Sequence, residues 1–178
     1  MSDQARTRIT VVNHNAVDIA RPAEVVWQDI VETYVEARKF SSQGHLIESL
    51  EDDPAAYLGG YRMTLRDKDG NVVDERVCRI TERDEGAMRL SLCAEYLLPP
   101  EMKLVVNASY QATRTPGGSR YTLDAYSMMD VALPRGPADP SVKHVAEQFR
   151  SASAGHLDGF LKSVRDRLES GTDRSGRT

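Results

Sequence analysis

Residues 45–133 hold six runs in which apolar and polar side chains alternate, separated by turn-forming residues, and nothing else in the chain restricts its fold as much. A period of two marks a strand with one face buried and one wet. The breaks fall at 53–60, 67–71, 83–86, Pro99-Pro100 and 115–118, which predicts an antiparallel meander. Such a sheet has an apolar face that another element must cover. The cover follows a proline-rich connection at 133–140. From Ser141 to about Glu169, Val142, Val145, Ala146, Phe149, Ser153, His156, Leu157, Phe160 and Val164 return at helical spacing. At 100° per residue Phe149 and Phe160 lie about 20° apart, with His156 on the same stripe. Asp139 and Pro140 supply a capping side chain and a first-turn proline. Gly155 and Gly159 flank the stripe, each weakening the helix by roughly 1 kcal/mol relative to Ala, which points to a close approach or a bend there.

Ahead of the meander, residues 9–20 read as a strand. A helix opens near Pro22 with Val25, Val26, Ile30 and Val31 on its buried side and Trp27 between helix and sheet. A second short helical piece over 33–40 ends at the 41–44 breaker. The order is strand, two short helices, six strands, long helix. It resembles the helix-grip fold of the START, polyketide-cyclase and birch-pollen-allergen-like superfamily (SRPBCC). The local match is DIARPAEVVWQDI at 18–30, where Ile19, Ala20, Pro22, Val25 or Val26, and Trp27 are similar to the superfamily's common "I-x-A-P-x-x-V-W" opening. The resemblance spans about 9–168. It implies an α+β fold: a curved antiparallel seven-stranded sheet wrapped around the C-terminal helix, with two short helices after the first strand. One such domain is expected over 1–170, followed by a flexible tail at 171–178. The superfamily includes lipid carriers, hormone receptors, cyclases and co-chaperones, so fold does not settle chemistry.

Alternation predicts which side chains face the helix. Tyr61, Met63 and Leu65 form one inward row, and Met88, Leu90, Leu92, Ala94 and Tyr96 another. Leu104, Val106, Ala108 and Tyr110 form a third. A three-residue hairpin at Lys68-Asp69-Gly70 sets Leu65, Met63 and Tyr61 opposite Val73, Glu75 and Val77. A two-residue Glu85-Gly86 turn sets Glu75, Val77 and Arg79 opposite Tyr96, Ala94 and Leu92. A type II turn at Pro116-Gly117 pairs Tyr110 with Leu123, Ala108 with Ala125 and Val106 with Ser127.

Ala94, Ala108 and Ala125 are small where a filled core carries Leu, Ile or Phe, and this predicts a hollow between sheet and helix. Polar groups on the same face (Glu75, Arg79, Tyr61, Tyr96, Tyr110, Ser127, His156) complete the profile of a small-molecule pocket. Its expected lining is Tyr61, Met63, Arg79, Leu92, Ala94, Val106, Ala108, Tyr110, Ala125, Ser127, Phe149, Ser153 and Phe160. The loops at 67–71, 97–102 and 133–140 share one end of the sheet and are the expected entrance. Two function classes fit. One is a carrier or sensor for an apolar, aromatic or polycyclic molecule. The other is a cofactor-free cyclase, dehydratase or isomerase with Glu75, Tyr96 and His156 as acid–base groups. Structural readings compete at each: Glu75 paired with Arg79, His156 satisfied in a core. An accessory protein docking through its outer helix face is a third reading, without a charge patch to support it.

Composition narrows the partners. Net charge of -4 argues against nucleic acid, which wants a basic surface. No apolar run approaches the roughly 18 residues of a membrane span, and MSDQARTRIT lacks a signal-peptide core, so a cytoplasmic location is expected. Cys78 and Cys93 are read as free thiols on the outer face, and no His/Cys/Asp cluster has metal-ligand spacing. The 83–86 turn is read as solvated charge. No cofactor and no metal are expected, and the partner is a small apolar organic ligand on a monomer or homodimer.

Overall fold

The computed structural model describes residues 6–98, 103–132 and 141–171. The chain runs β1 (Arg6–Ile19), α1 (Ala23–Tyr34), α2 (Arg38–Ser42), β2 (Leu46–Ser49), β3 (Gly60–Arg66), β4 (Val72–Asp84), β5 (Arg89–Tyr96), β6 (Val105–Thr115), β7 (Gly118–Ala132) and α3 (Ser141–Glu169). The seven strands form one antiparallel sheet in the order β1-β7-β6-β5-β4-β3-β2. Every consecutive pair from β2 to β7 is a hairpin or a short connection, as the alternation predicts. β1 closes the sheet from the far end of the sequence, its whole length paired with β7 from Arg6 opposite Ala132 to Ile19 opposite Ser119. The loop at 99–102, the connection at 133–140 with the Asp139-Pro140 cap, and the tail beyond 171 lie outside the described residues.

α1 starts on Pro22, whose lost N–H costs nothing at a helix start. Its apolar side, Val26, Trp27, Ile30, Val31 and Tyr34, is buried against the sheet, packing on β5, β6 and β7. The two helical pieces are separated at Ala37, held at φ 52° in the left-handed region. The Trp27 indole donates from Nε1 to Glu85 Oε2 (2.6 Å), so the 83–86 turn is a helix anchor and not merely solvated charge.

The main core lies under α1 and the C-terminal half of α3. Tyr121, Ile19, Ile30, Met63, Leu90 and Leu161 are nearly inaccessible there. Tyr34 stacks on Tyr110 with ring centroids 4.0 Å apart, and its hydroxyl bonds with those of Tyr110 and Tyr121. A smaller cluster, Ile9, Leu104 and Met129, sits at the opposite end beneath Val142, Val145, Ala146 and Phe149 of α3. Gly155 and Gly159 meet nothing within 4 Å of a Cβ position, so they mark neither a close approach nor a packing need.

Candidate ligand-binding site

The inner face of β5, β6 and β7 is as alternation predicts. Tyr110 faces Leu123, Ala108 faces Ala125 and Val106 faces Ser127, and on the next strand Leu92 faces Ala108 and Ala94 faces Val106. The Pro116-Gly117 loop has two residues, but its positive φ (142°) is at Gly118, so the turn is not type II. The three alanines and Ser127 are buried, side by side across the sheet. α3 does not press on them evenly. It packs along β1 and more lightly on β7, whereas α1 covers β5 and β6 directly. Tyr96, Val106, Phe149 and Phe160 are only half-buried. The sheet is therefore closely covered under α1 and more thinly covered beneath α3, which leaves a lightly packed strip, or trough, between α3 and the middle of the sheet.

Neither of the two most pronounced concavities among the described residues is the expected hollow between sheet and helix. One is a surface notch between residues 20–24 and Arg114, Thr115 and Gly118. The other lies over residues 86–88 and 111–114. Tyr61, Met63, Leu92 and Tyr110, expected as lining, are buried members of the main core. Ser153 is occupied too. Its Oγ accepts from Asn13 Nδ2 (2.8 Å) and donates to the Phe149 carbonyl (2.7 Å). Phe160 carries the Lys39 ammonium 4.0 Å above its ring.

β4 departs most from expectation, and the cause is two bulges. The hairpin does contain Lys68-Asp69-Gly70, with Gly70 at φ 85° and Asp67 paired to Asn71. After Arg66 opposite Val72, however, Leu65 lies opposite Asp74, leaving Val73 as an extra residue. A second irregularity leaves out Thr81, and the far turn spans four residues, with Asp84 opposite Arg89. An extra residue reverses which side chains point inward. Asp74, Arg76, Cys78 and Ile80 therefore face the interior, with Arg76 opposite Met63 and Tyr96, and Cys78 opposite Tyr61 and Ala94.

Glu75 and Arg79, expected inside, are on the outer face. Glu75 is paired with Arg62 through Oε1, and Arg79 donates to Asp53 (2.9 Å) and Glu95 (3.2 Å). His156 is exposed, because the buried edge of α3 runs through Leu157, Leu161 and Val164 instead. Of the three expected acid–base groups only Tyr96 faces inward. Cys78, expected outside, is buried, and burial pushes its thiol up to about 11. The Tyr61 hydroxyl beside it is buried without a hydrogen-bond partner of good geometry.

In place of Glu75 the trough holds a charged set that the sequence did not disclose. The Arg76 guanidinium makes a two-pronged pair with Asp74, Nε to Oδ1 at 2.8 Å and Nη2 to Oδ2 at 2.6 Å. Its carbon lies 4.4 Å from the Tyr96 ring centroid. His45 Nε2 contacts Asp74 Oδ2 at 3.2 Å, and Nδ1 contacts the Phe40 carbonyl at 3.1 Å. Both ring nitrogens therefore lie within hydrogen-bonding distance of an oxygen. The His45 side chain is 7% exposed, Asp74 19% and Arg76 27%, so solvent reaches the set from the guanidinium side. Burial pulls Arg76 down, but Tyr96 and Asp74 outweigh it and hold the guanidinium above its ordinary value. Burial raises Tyr96, with Arg76 opposing.

No family model matches the chain. No curated protein matches it either. Solved structures do. Norcoclaurine synthase from Thalictrum flavum, in complex with dopamine and hydroxybenzaldehyde, is 13% identical with a TM-score of 0.57, the match covering 94% of this chain and 91% of that one. Ara h 8.0201 is 14% identical with a TM-score of 0.52, over 86% of this chain and 99% of that one. A Thermus thermophilus protein is 13% identical with a TM-score of 0.56, over 93% and 100%. The architecture is thus the helix-grip fold, as the sequence pattern led one to expect. At such identities the likeness is one of fold. Among the described residues no helix is long and apolar enough to cross a membrane.

Proposed function

We propose that the chain binds a small apolar, aromatic or polycyclic molecule in the trough between α3 and the middle of the sheet. One observation carries this reading: a patch of three alanines and a serine, spread over two adjacent rows with the half-buried Val106 between Ala94 and Ser127, lies across β5, β6 and β7 where α3 leaves the sheet thinly covered, while Tyr96 and Phe149 at its margin are half-buried. Covering those side chains with an apolar ligand would gain roughly 25 cal/mol per Å² gross. A neighbour of the same fold solved with dopamine and hydroxybenzaldehyde is compatible with it, though fold alone does not transfer chemistry. Acid–base catalysis by Glu75 and His156 loses its support, since neither side chain faces the trough.

The test is occlusion. Naphthalene titrated into the wild type, followed by calorimetry, is expected to bind, and Ala108→Phe is expected to abolish binding while the protein stays folded. A bulky residue at Val12 on the outer face is the control. Binding that survives Ala108→Phe, or none in the wild type, would refute the trough as the site. Native mass spectrometry of freshly purified protein gives a second route through any co-purified organic molecule.

A further inference from the structure

Arg76, on the inner face of β4, still has unused hydrogen-bonding capacity. A guanidinium carries five N–H donors arranged as a planar fork. Asp74 takes one edge, through Nε and Nη2. The other edge, made of Nη1 and the remaining N–H of Nη2, has no acceptor among the described residues. The group is fixed before anything binds: Asp74 grips it from one side, the Tyr96 ring lies against its face at 4.4 Å, and His45 holds Asp74 from behind. Apart from Arg114 at the far end of β6, which is paired with Glu24 of α1, no inner-facing position of β5, β6 or β7 bears a charge. The Asp74 carboxylate is shared between the guanidinium and the His45 imidazole, and neither of its oxygens contacts the guanidinium's other edge.

We propose that this second edge of Arg76 is the docking point for a carboxylate on the apolar ligand, so that the ligand class is an aromatic or polycyclic carboxylic acid. The inference rests on the trough reading and adds to it the identity of the polar end. A carboxylate matches two parallel N–H donors at once, which a neutral ester or ketone oxygen does not. Tyr96 acts as a positioning residue, keeping the guanidinium plane turned so that its free edge opens along the trough. The three alanines beyond leave room for the ring system, whose apolar surface continues toward Val106 and Phe149.

The experiment compares 2-naphthoate with its methyl ester by calorimetry, on the wild type, Arg76→Gln and Arg76→Lys. Circular dichroism melts confirm that each is folded. In the wild type the acid is expected to bind at least about tenfold more tightly than the ester, one charge-assisted pair. Arg76→Gln should remove that preference and leave ester affinity within about twofold. Arg76→Lys, which keeps charge but not the fork, should retain only part of it. If Arg76→Gln does not fold, Arg76→Lys and the wild-type acid-to-ester ratio still decide. Equal binding of acid and ester by the wild type, or an acid preference untouched by both substitutions, overturns the anchor and leaves the trough standing. Binding of neither compound overturns the trough, and the anchor with it.

Discussion

Asp74 and Glu75 are adjacent carboxylates on opposite faces of β4, the register beyond the bulge at Val73 decides which of them is inward, and replacing each by its amide reads that geometry directly. Asp74 accepts three bonds, two from Arg76 and one from His45, at 2.6 to 3.2 Å with its side chain 19% exposed. Bonds to charged groups are worth about 1.5–3 kcal/mol each when dry. Partial solvent access lowers that, and an asparagine oxygen keeps one acceptor, so Asp74→Asn is expected to cost about 2–3 kcal/mol. For a chain of this length each kcal/mol moves Tm by about 2–4 °C, giving a fall of about 4–12 °C. Glu75→Gln removes only one ion pair on the outer face, with the Glu75 side chain 20% and its partner Arg62 45% exposed, and should cost less than about 1 kcal/mol, a fall of at most about 4 °C. The assay is thermal unfolding by circular dichroism near pH 7, with urea unfolding to confirm that the two-state slope is preserved. A larger loss from Glu75→Gln than from Asp74→Asn would show that β4 sits one residue over, with Glu75 in the interior, and the assignment of Arg76 to the trough would fail with it.

Other expectations are equally direct. Burial raises both thiols, Cys78 to about 11, so native protein at pH 8 should show at most one fast-reacting thiol, Cys93, and two after denaturation. Two fast thiols in the native state would contradict the inward position of Cys78. The bond from the single tryptophan, Trp27, together with Arg83, holds Glu85 below the usual glutamate value, so its contribution is present above that value and is lost as pH falls through the lower, folded one. Tryptophan emission should accordingly titrate with a midpoint below about 4.3, and Glu85→Gln should remove the transition. A Cβ at Gly118 would lie 2.3 Å from the Ile19 carbonyl oxygen, whereas one at Gly117 meets nothing within 4 Å. Gly118→Ala should therefore lower Tm clearly, and Gly117→Ala should be nearly silent.

The fold was legible because its signals are long and mutually reinforcing. Six alternating runs, a proline-started helix with Trp27 on its buried side, and a 29-residue amphipathic helix leave few ways to assemble a covered sheet. The pairing of β6 with β7 could also be derived, since a two-residue loop fixes register without ambiguity. β4 could not. Its hairpin loop was read correctly, yet one unpaired residue beyond it reversed the next seven positions, and no residue at 72–73 or 81 distinguishes a bulge from a regular strand. One clue was present: Cys78 and Ile80 continue an apolar row as well as Val73 and Val77 do, so β4 alone fits either face. His45 joins Asp74 only through the path of the chain between α2 and β2, which has no periodicity to read. His156 failed for a different reason. Over 29 residues a straight stripe drifts against a twisted sheet, so an angular match to Phe149 and Phe160 near mid-helix does not guarantee burial.

The two bulges bracket residues 74–80, which stay paired on both sides while their sidedness is inverted relative to a regular strand. Deleting Val73 would therefore leave a regular strand with Asp74 still opposite Leu65 and Arg76 still opposite Met63, so the inward side of 74–80 is held by its pairing with β3 and β5 and not by the length of the hairpin ahead of it.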